Sequence, residues 1–434
     1  MSMTEPSATC GQSRGHELTR DAEHSPRPPS SDTDEIFAGK TARPSHTPFD
    51  KVPVDLLRLV MDHVAPDDTP GDPDRASPES LKAASLVCKS WQNPAQRRLY
   101  AHPINVFDTL ALRGLRAVFT AHPDVGRCVR TLRFREGWRV EGEAVSEYSR
   151  EAVKLLRLTP NVSQFRFDHV RLLDVCLNSF ATELRRFQPV NFVVRGRGRD
   201  FERQIRGSPE VKALATILGA WSSLRDLTIS DIVFKEEHFS ARPPTYRLER
   251  LSFTNVDLPG DTLVTIVGRE PAIATLELVG GSASPDVLSR TLENLAPSLA
   301  SLLFDSSCDD GEVIASGTTD PCILGPLRCL RHLTLGCDVE FTRPVFDIVF
   351  ALPSIETFKI VACARYSVEA LERAVATMSP SLKSIDIGMY RPEGSQGGDD
   401  DDEPEDATQR LEALVEACES RGVSLFVDSE PLWA

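Results

Sequence analysis

The chain reads as α/β: a small helical module followed by a curved solenoid, with a parallel sheet inside and helices outside. Three observations predict this. Residues 49–100 hold helix-period apolar patterns. From residue 101 onward a short strand motif recurs: apolar, two variable, apolar, one variable, apolar. Between its copies lie amphipathic helix patterns. No single repeat of that kind can bury its apolar face alone, so neighbours must stack in series.

In chain order, residues 1–48 are rich in Ser, Pro, Thr, Asp and Arg and hold one Phe and one Ile. Nothing there repays the entropy of ordering, and the segment is expected to be a disordered tail. Ser25 and Thr47 precede prolines and are weak candidates for phosphorylation.

The helical module comes next. Val54, Leu57, Met61 and Val64 recur at helical spacing, and Leu56, Leu59 and Val60 make a second apolar face. A helix apolar on two sides is either deep in a core or shows one face to a partner. So short a module has little core to hide it in, which favours the partner. A polar insert follows Val64. Ser77, Pro78 and Glu79 then read as the start of a second helix. Asn93 and Pro94 read as the same device opening a third, with Trp91 as the anchor between the two.

The strand motif appears at Val129–Leu132–Phe134 and Val162–Phe165–Phe167, then at Leu224–Leu227–Ile229. From Leu227 the middle anchors are Leu251, Leu276, Leu302, Leu333, Phe358 and Ile385, spaced 24 to 31 residues apart. Repeats of leucine-rich type run about 20–29 residues. Pro-containing lead-ins stand before several strands: Thr159-Pro160-Asn161, Ala296-Pro297-Ser298, Leu352-Pro353-Ser354 and Ser379-Pro380-Ser381. Helical patterns include Val287/Leu288/Leu292/Leu295 and Val345/Ile348/Val349/Leu352. The longer gaps at 165–227 and 385–425 suggest insertions. An ordinary α/β sheet domain is the alternative to the solenoid.

Two segments stand apart. Residues 183–206 carry Arg185, Arg186, Arg195, Arg197, Arg199, Arg203 and Arg206, and read as a solvated loop or as a patch for an acidic substrate. Residues 394–406 are a glycine-led acidic run, expected to be a flexible surface insertion.

Composition excludes several functions. The net charge of −15 argues against general nucleic-acid or anionic-membrane binding. No run approaches the ~18 apolar residues of a membrane span, and no signal peptide is visible, so the chain is expected to be intracellular, in cytoplasm or nucleus. The ten cysteines are scattered; Cys322, Cys329 and Cys337 do not have zinc-site spacing. The nine histidines never pair at ligand spacing, and no phosphate loop, nucleophile elbow or dinucleotide fingerprint is present. No catalytic residue, metal or cofactor is expected; chemistry would belong to partners.

Residues 49–100 resemble an F-box. Val52-Pro53 matches the opening pair, with Val for the usual Leu, and Leu56-Leu57 the pair that follows. Ser85-Leu86-Val87-Cys88-Lys89-Ser90-Trp91 matches the later signature, and Leu99-Tyr100 the close typical of fungal members. The loop after Val64 is longer and more acidic than usual. A helical cap on a larger domain is the alternative. Residues 101–430 resemble the irregular leucine-rich repeats attached to F-boxes, without the regular Asn after each strand; Asn255 is the nearest candidate, displaced by one.

The resemblance implies a substrate receptor of a cullin–RING ubiquitin ligase of SCF type. Pro53, Leu56, Leu57, Val60, Leu86, Val87 and Trp91 would hold the Skp adaptor, and through it cullin, or shape the surface that does. Strand alternation puts the variable residues on the concave face, which is expected to bind a protein substrate. Arg133, Arg135, Arg166, Arg250, His332 and Lys359 are the candidates, and the first three gather at the F-box end, suited to carboxylate or phosphate. A scaffold that binds partners without ubiquitination is the runner-up; an enzyme has no supporting motif.

Overall fold

The structure, a computed structural model, describes residues 53, 55–57, 59–60, 78–87, 89–135, 143–168, 180–196, 212–232, 234, 245–268, 271–281, 283–305, 321–336, 343–361, 368–375, 377–388 and 405–427. The expectations for 1–48, for Val52, Val54, Met61, Val64, Ser77 and Cys88, for Arg197 to Arg206, and for 394–404 lie outside these residues.

Among the described residues twelve strands form one sheet: β1 (Ile104–Val106), β2 (Thr131–Arg135), β3 (Gln164–Asp168), β4 (Asn191–Arg195), β5 (Asp226–Ser230), β6 (Arg250–Thr254), β7 (Thr275–Val279), β8 (Ser301–Asp305), β9 (His332–Leu335), β10 (Thr357–Ile360), β11 (Ser384–Ile387) and β12 (Ser424–Val427). Each strand pairs in parallel with its sequence neighbours, in the order β1 to β12. A doubly wound sheet would reverse its order at some point; this one never does, and the α/β solenoid of leucine-rich-repeat type follows.

Register explains the sequence motif. Leu132, Phe165, Phe192, Leu227, Leu251, Leu276, Leu302, Leu333, Phe358 and Ile385 are successive Cα partners, and all are buried. They form one ladder through a single continuous core. Burying each such side chain contributes about 1.5–3 kcal/mol, so the ladder is the main cohesive term. Helices cover it and pack on each other in sequence. Thr109–Ala121 lies on Glu143–Leu158, Thr262–Val267 on Pro285–Leu295, Arg343–Phe350 on Val368–Val375, and the last of these on Glu405–Glu419.

The Pro lead-ins have a cause. Pro ends the preceding helix, and the polar residue after it reaches back one repeat. Asn161 Nδ2 donates to the Arg127 carbonyl at 2.8 Å, Ser298 Oγ to Ile273 at 3.0 Å, and Ser381 Oγ to Pro353 at 2.7 Å. Beyond the strands, Asp231 and Asn255 adopt positive φ (55° and 54°), and Asn255 Nδ2 donates to Asp231 Oδ1 at 3.0 Å. Asn255 thus links two consecutive post-strand turns.

Two sequence readings need correction. The gap at 165–227 is not wholly an insertion: β4 lies inside it, one strand removed from β3 and one from β5. Arg195 is therefore a strand residue. Second, Asn93-Pro94 does not open a helix. Lys89–Ala101 runs continuously with Pro94 inside it. Trp91, Ala95 and Leu99, four residues apart, pack with Leu81 and Ala84 of helix Pro78–Val87 and hold the helix across the proline. The far end of that helix belongs to the repeats: Tyr100 meets Phe119 edge-on at 5.6 Å.

Candidate functional site

The helical module separates its apolar residues by face. Leu57 is 1% exposed, while its neighbour Leu56 is 52% exposed and Leu59 and Val60 are also exposed. The Leu57 backbone N–H donates to the Pro53 carbonyl at 3.1 Å, which fixes the first turn. On helix Pro78–Val87, Leu81 and Ala84 are buried; Leu86 is 85% exposed and Val87 is exposed beside it. Pro53 is exposed and Trp91 half-buried against the small Leu81/Ala84/Ala95 cluster. Of the seven residues expected to meet an adaptor, Pro53, Leu56, Val60, Leu86 and Val87 face solvent, whereas Leu57 and Trp91 support them from within. Large apolar side chains left in water on so small a unit make this face a candidate binding surface.

The second candidate surface is the sheet face away from the helices. In β2 to β4 the positions between the buried anchors stay partly open. All six sequence candidates stand on this row system. Arg135, Arg250 and His332 are exposed, and His332 Nδ1 meets Thr357 Oγ1 at 2.8 Å across β9 and β10. Lys359 pairs with Asp386 at 2.7 Å, so its charge is met within the sheet.

Arg133 and Arg166 are not isolated cations. Both engage Asp168, which is 1% exposed: Arg166 Nε donates to Oδ1 at 2.9 Å and Arg133 Nε donates to Oδ2. Burial alone would push the Asp168 carboxyl up. Hydrogen bonds and charge from Arg166 and Arg133 outweigh it and hold the group below its ordinary value. Arg195 on β4 is half-buried beside them, and burial, then the charge of Arg166, lower its proton affinity. Asp168 was not among the sequence candidates, and Arg195 entered only as part of the Arg-rich segment 183–206, with an acidic-substrate patch as its second reading. Asp168 sits at the end of an anchor pattern, and Arg195 lies on the strand that the sequence reading took for a loop.

Away from the open face, the segment between β3 and β4 carries a second charged group, which is structural. Glu183 is buried and receives Arg157 at 2.6 Å and Arg186 at 2.9 Å. Those hydrogen bonds, Arg157 foremost, hold its carboxyl low. Arg186 of the Arg-rich segment is thereby spoken for. Among the described residues no group of His, Cys, Asp and Glu side chains could hold a metal ion, and no helix is long and apolar enough to cross a membrane.

No family model matches the chain, and no curated protein matches it. Solved structures do. The crystal structure of the Rad7 and Elc1 complex in yeast matches with a TM-score of 0.36 and 14% identity, over 78% of this chain and 91% of that one. The TLR13–ssRNA13 complex matches at 0.33 and 13%, over 71% of this chain and 47% of that one. Both likenesses are too distant to carry function.

Proposed function

We propose that the chain is a substrate-recognition subunit of an SCF-type ubiquitin ligase. The helical module docks a Skp-type adaptor, and the open face of the repeats holds a protein substrate. Ubiquitin transfer then takes place on other subunits, in the cytoplasm or the nucleus, and this chain supplies no catalytic group. The observation that carries the reading is the exposure of Leu56, Leu59, Val60, Leu86 and Val87 within a module that also bears the F-box signature residues. Their apolar faces have no cover among the described residues, and a partner helix laid on them would remove them from water.

Reconstitution tests it. The full chain is co-expressed with the adaptor, and cullin with its RING subunit is added. The reading expects one complex holding all four. A complex of chain and adaptor that excludes cullin would make the protein a scaffold without ubiquitination.

A further inference from the structure

Four arginines gather on three adjacent strands of the open face: Arg133 and Arg135 on β2, Arg166 on β3, and Arg195 on β4. One buried carboxylate, Asp168, stands among them, with Arg135 and Arg195 as its Cα partners on either side. Arg133 and Arg166 both reach it through Nε. Each guanidinium therefore keeps its terminal amino groups, and among the described residues these have no acceptor.

The charges do not balance. Four cations face one buried carboxylate, Asp168, and Asp231 in the turn after β5 is a second carboxylate acting on Arg195. Burial first, and then the charge of Arg166, lower the proton affinity of the half-buried Arg195. Farther along the face the corresponding position is neutralised, as in Lys359 with Asp386. Arginine forks left open in a partly buried place suit a doubly charged oxyanion better than a single carboxylate.

The width of the patch limits the ligand. Three strands span two inter-strand spacings, about 10 Å. Val193 on β4 and Thr228 on β5 follow Arg166 in the same row, so the positive row ends there. A polyanion needs a longer track, and the net charge of −15 opposes it. One phosphoryl group fits.

The geometry points to a docking site for a phosphorylated segment of a protein partner on β2 to β4. Asp168 orients Arg133 and Arg166, and their terminal amino groups with Arg195 receive the phosphoryl oxygens. That the segment belongs to a ubiquitination substrate rests on the reading above; the anion site does not.

The test uses the full chain alone. The probe is a phosphoserine peptide flanked by alanines, followed by 31P line broadening. The serine parent, anionic vesicles and a single-stranded RNA oligonucleotide are the other arms. The wild type is expected to bind the phosphopeptide and not its parent. Arg166→Gln/Arg195→Gln is expected to bind it about tenfold more weakly or worse, at unchanged circular dichroism. Arg195→Gln alone, which removes no bond to Asp168, is expected to weaken it in the same direction. Equal binding by wild type and both variants overturns the proposal, as does tighter binding of the RNA or the vesicles. Adaptor co-elution of the double variant is read separately and is expected to persist, so loss of the anion site and loss of the ligase reading remain distinct results.

Discussion

Arg166 Nε lies 2.9 Å from Oδ1 of Asp168, two residues ahead of it on the same strand, and the carboxylate so engaged is almost wholly buried. Arg133 holds the other oxygen from the neighbouring strand. The pairing turns the basic end of the open face into an ordered unit rather than a set of mobile surface charges.

Replacing the carboxylate tests that unit. Asp168→Asn removes the counter-charge and leaves both guanidiniums with a weaker acceptor, at an expected cost of about 1–3 kcal/mol in urea unfolding. The folded carboxyl titrates below its unfolded value, about 3.9, so its contribution is complete above that value and is lost as pH falls through the folded one. The gap between wild type and Asp168→Asn is therefore expected to close on acidification. A gap that widens instead would contradict the assignment.

Adjacent leucines should behave oppositely. Leu57→Ala is expected to destabilise the helical module by about 2–5 kcal/mol, whereas Leu56→Ala should change stability by no more than about 0.5 kcal/mol. Thermal unfolding of the two variants gives the comparison. Equal effects would mean that the faces are wrongly divided.

Trp221 is the largest fully buried side chain near β4 and β5. Its Nε1 donates to the Leu184 carbonyl at 2.9 Å, and its ring meets Phe192 edge-on at 4.8 Å and stacks on Phe165 at 6.5 Å. Trp221→Ala should cost about 3–5 kcal/mol. Because each repeat leans on its neighbours, hydrogen exchange should rise first around β3 to β5. Uniform acceleration along all strands would argue for a single cooperative block.

Gly281 has φ of 75°, and a Cβ there would run into the Val256 backbone carbonyl. Gly281→Ala should cost about 1–3 kcal/mol, read as a lowered denaturation midpoint. Gly114, whose Cβ would meet nothing, is the control: Gly114→Ala, within helix Thr109–Ala121, should be neutral or stabilising.

Nine strands were legible because their three anchors are aliphatic or aromatic and evenly spaced. β4 was not, because Pro189 occupies the leading anchor position ahead of Phe192 and Val194. It is buried there all the same, and the register Phe165 to Phe192 to Leu227 restores the period. β1 and β12 are short end strands with few anchors to read. Pro94 misled because a local rule about helix starts was overridden by the packing of Trp91, Ala95 and Leu99. The candidate cations stand on the open face, as strand alternation predicts, but Arg133 and Asp168 are 35 residues apart and become neighbours only through strand register. No local pattern carries that information.

The central claim is that the exposed apolar faces of the helical module receive an adaptor. The direct measurement is size-exclusion chromatography of the full chain co-expressed with a Skp-type adaptor, beside Leu56→Asp/Leu86→Asp. Both positions are exposed, so the variant is expected to keep its circular dichroism, which the buried Leu57 would not allow. Co-elution of the wild type, lost in the variant, is the predicted result. A folded wild type that elutes apart from the adaptor would contradict the account and leave the helices as a cap on the repeats.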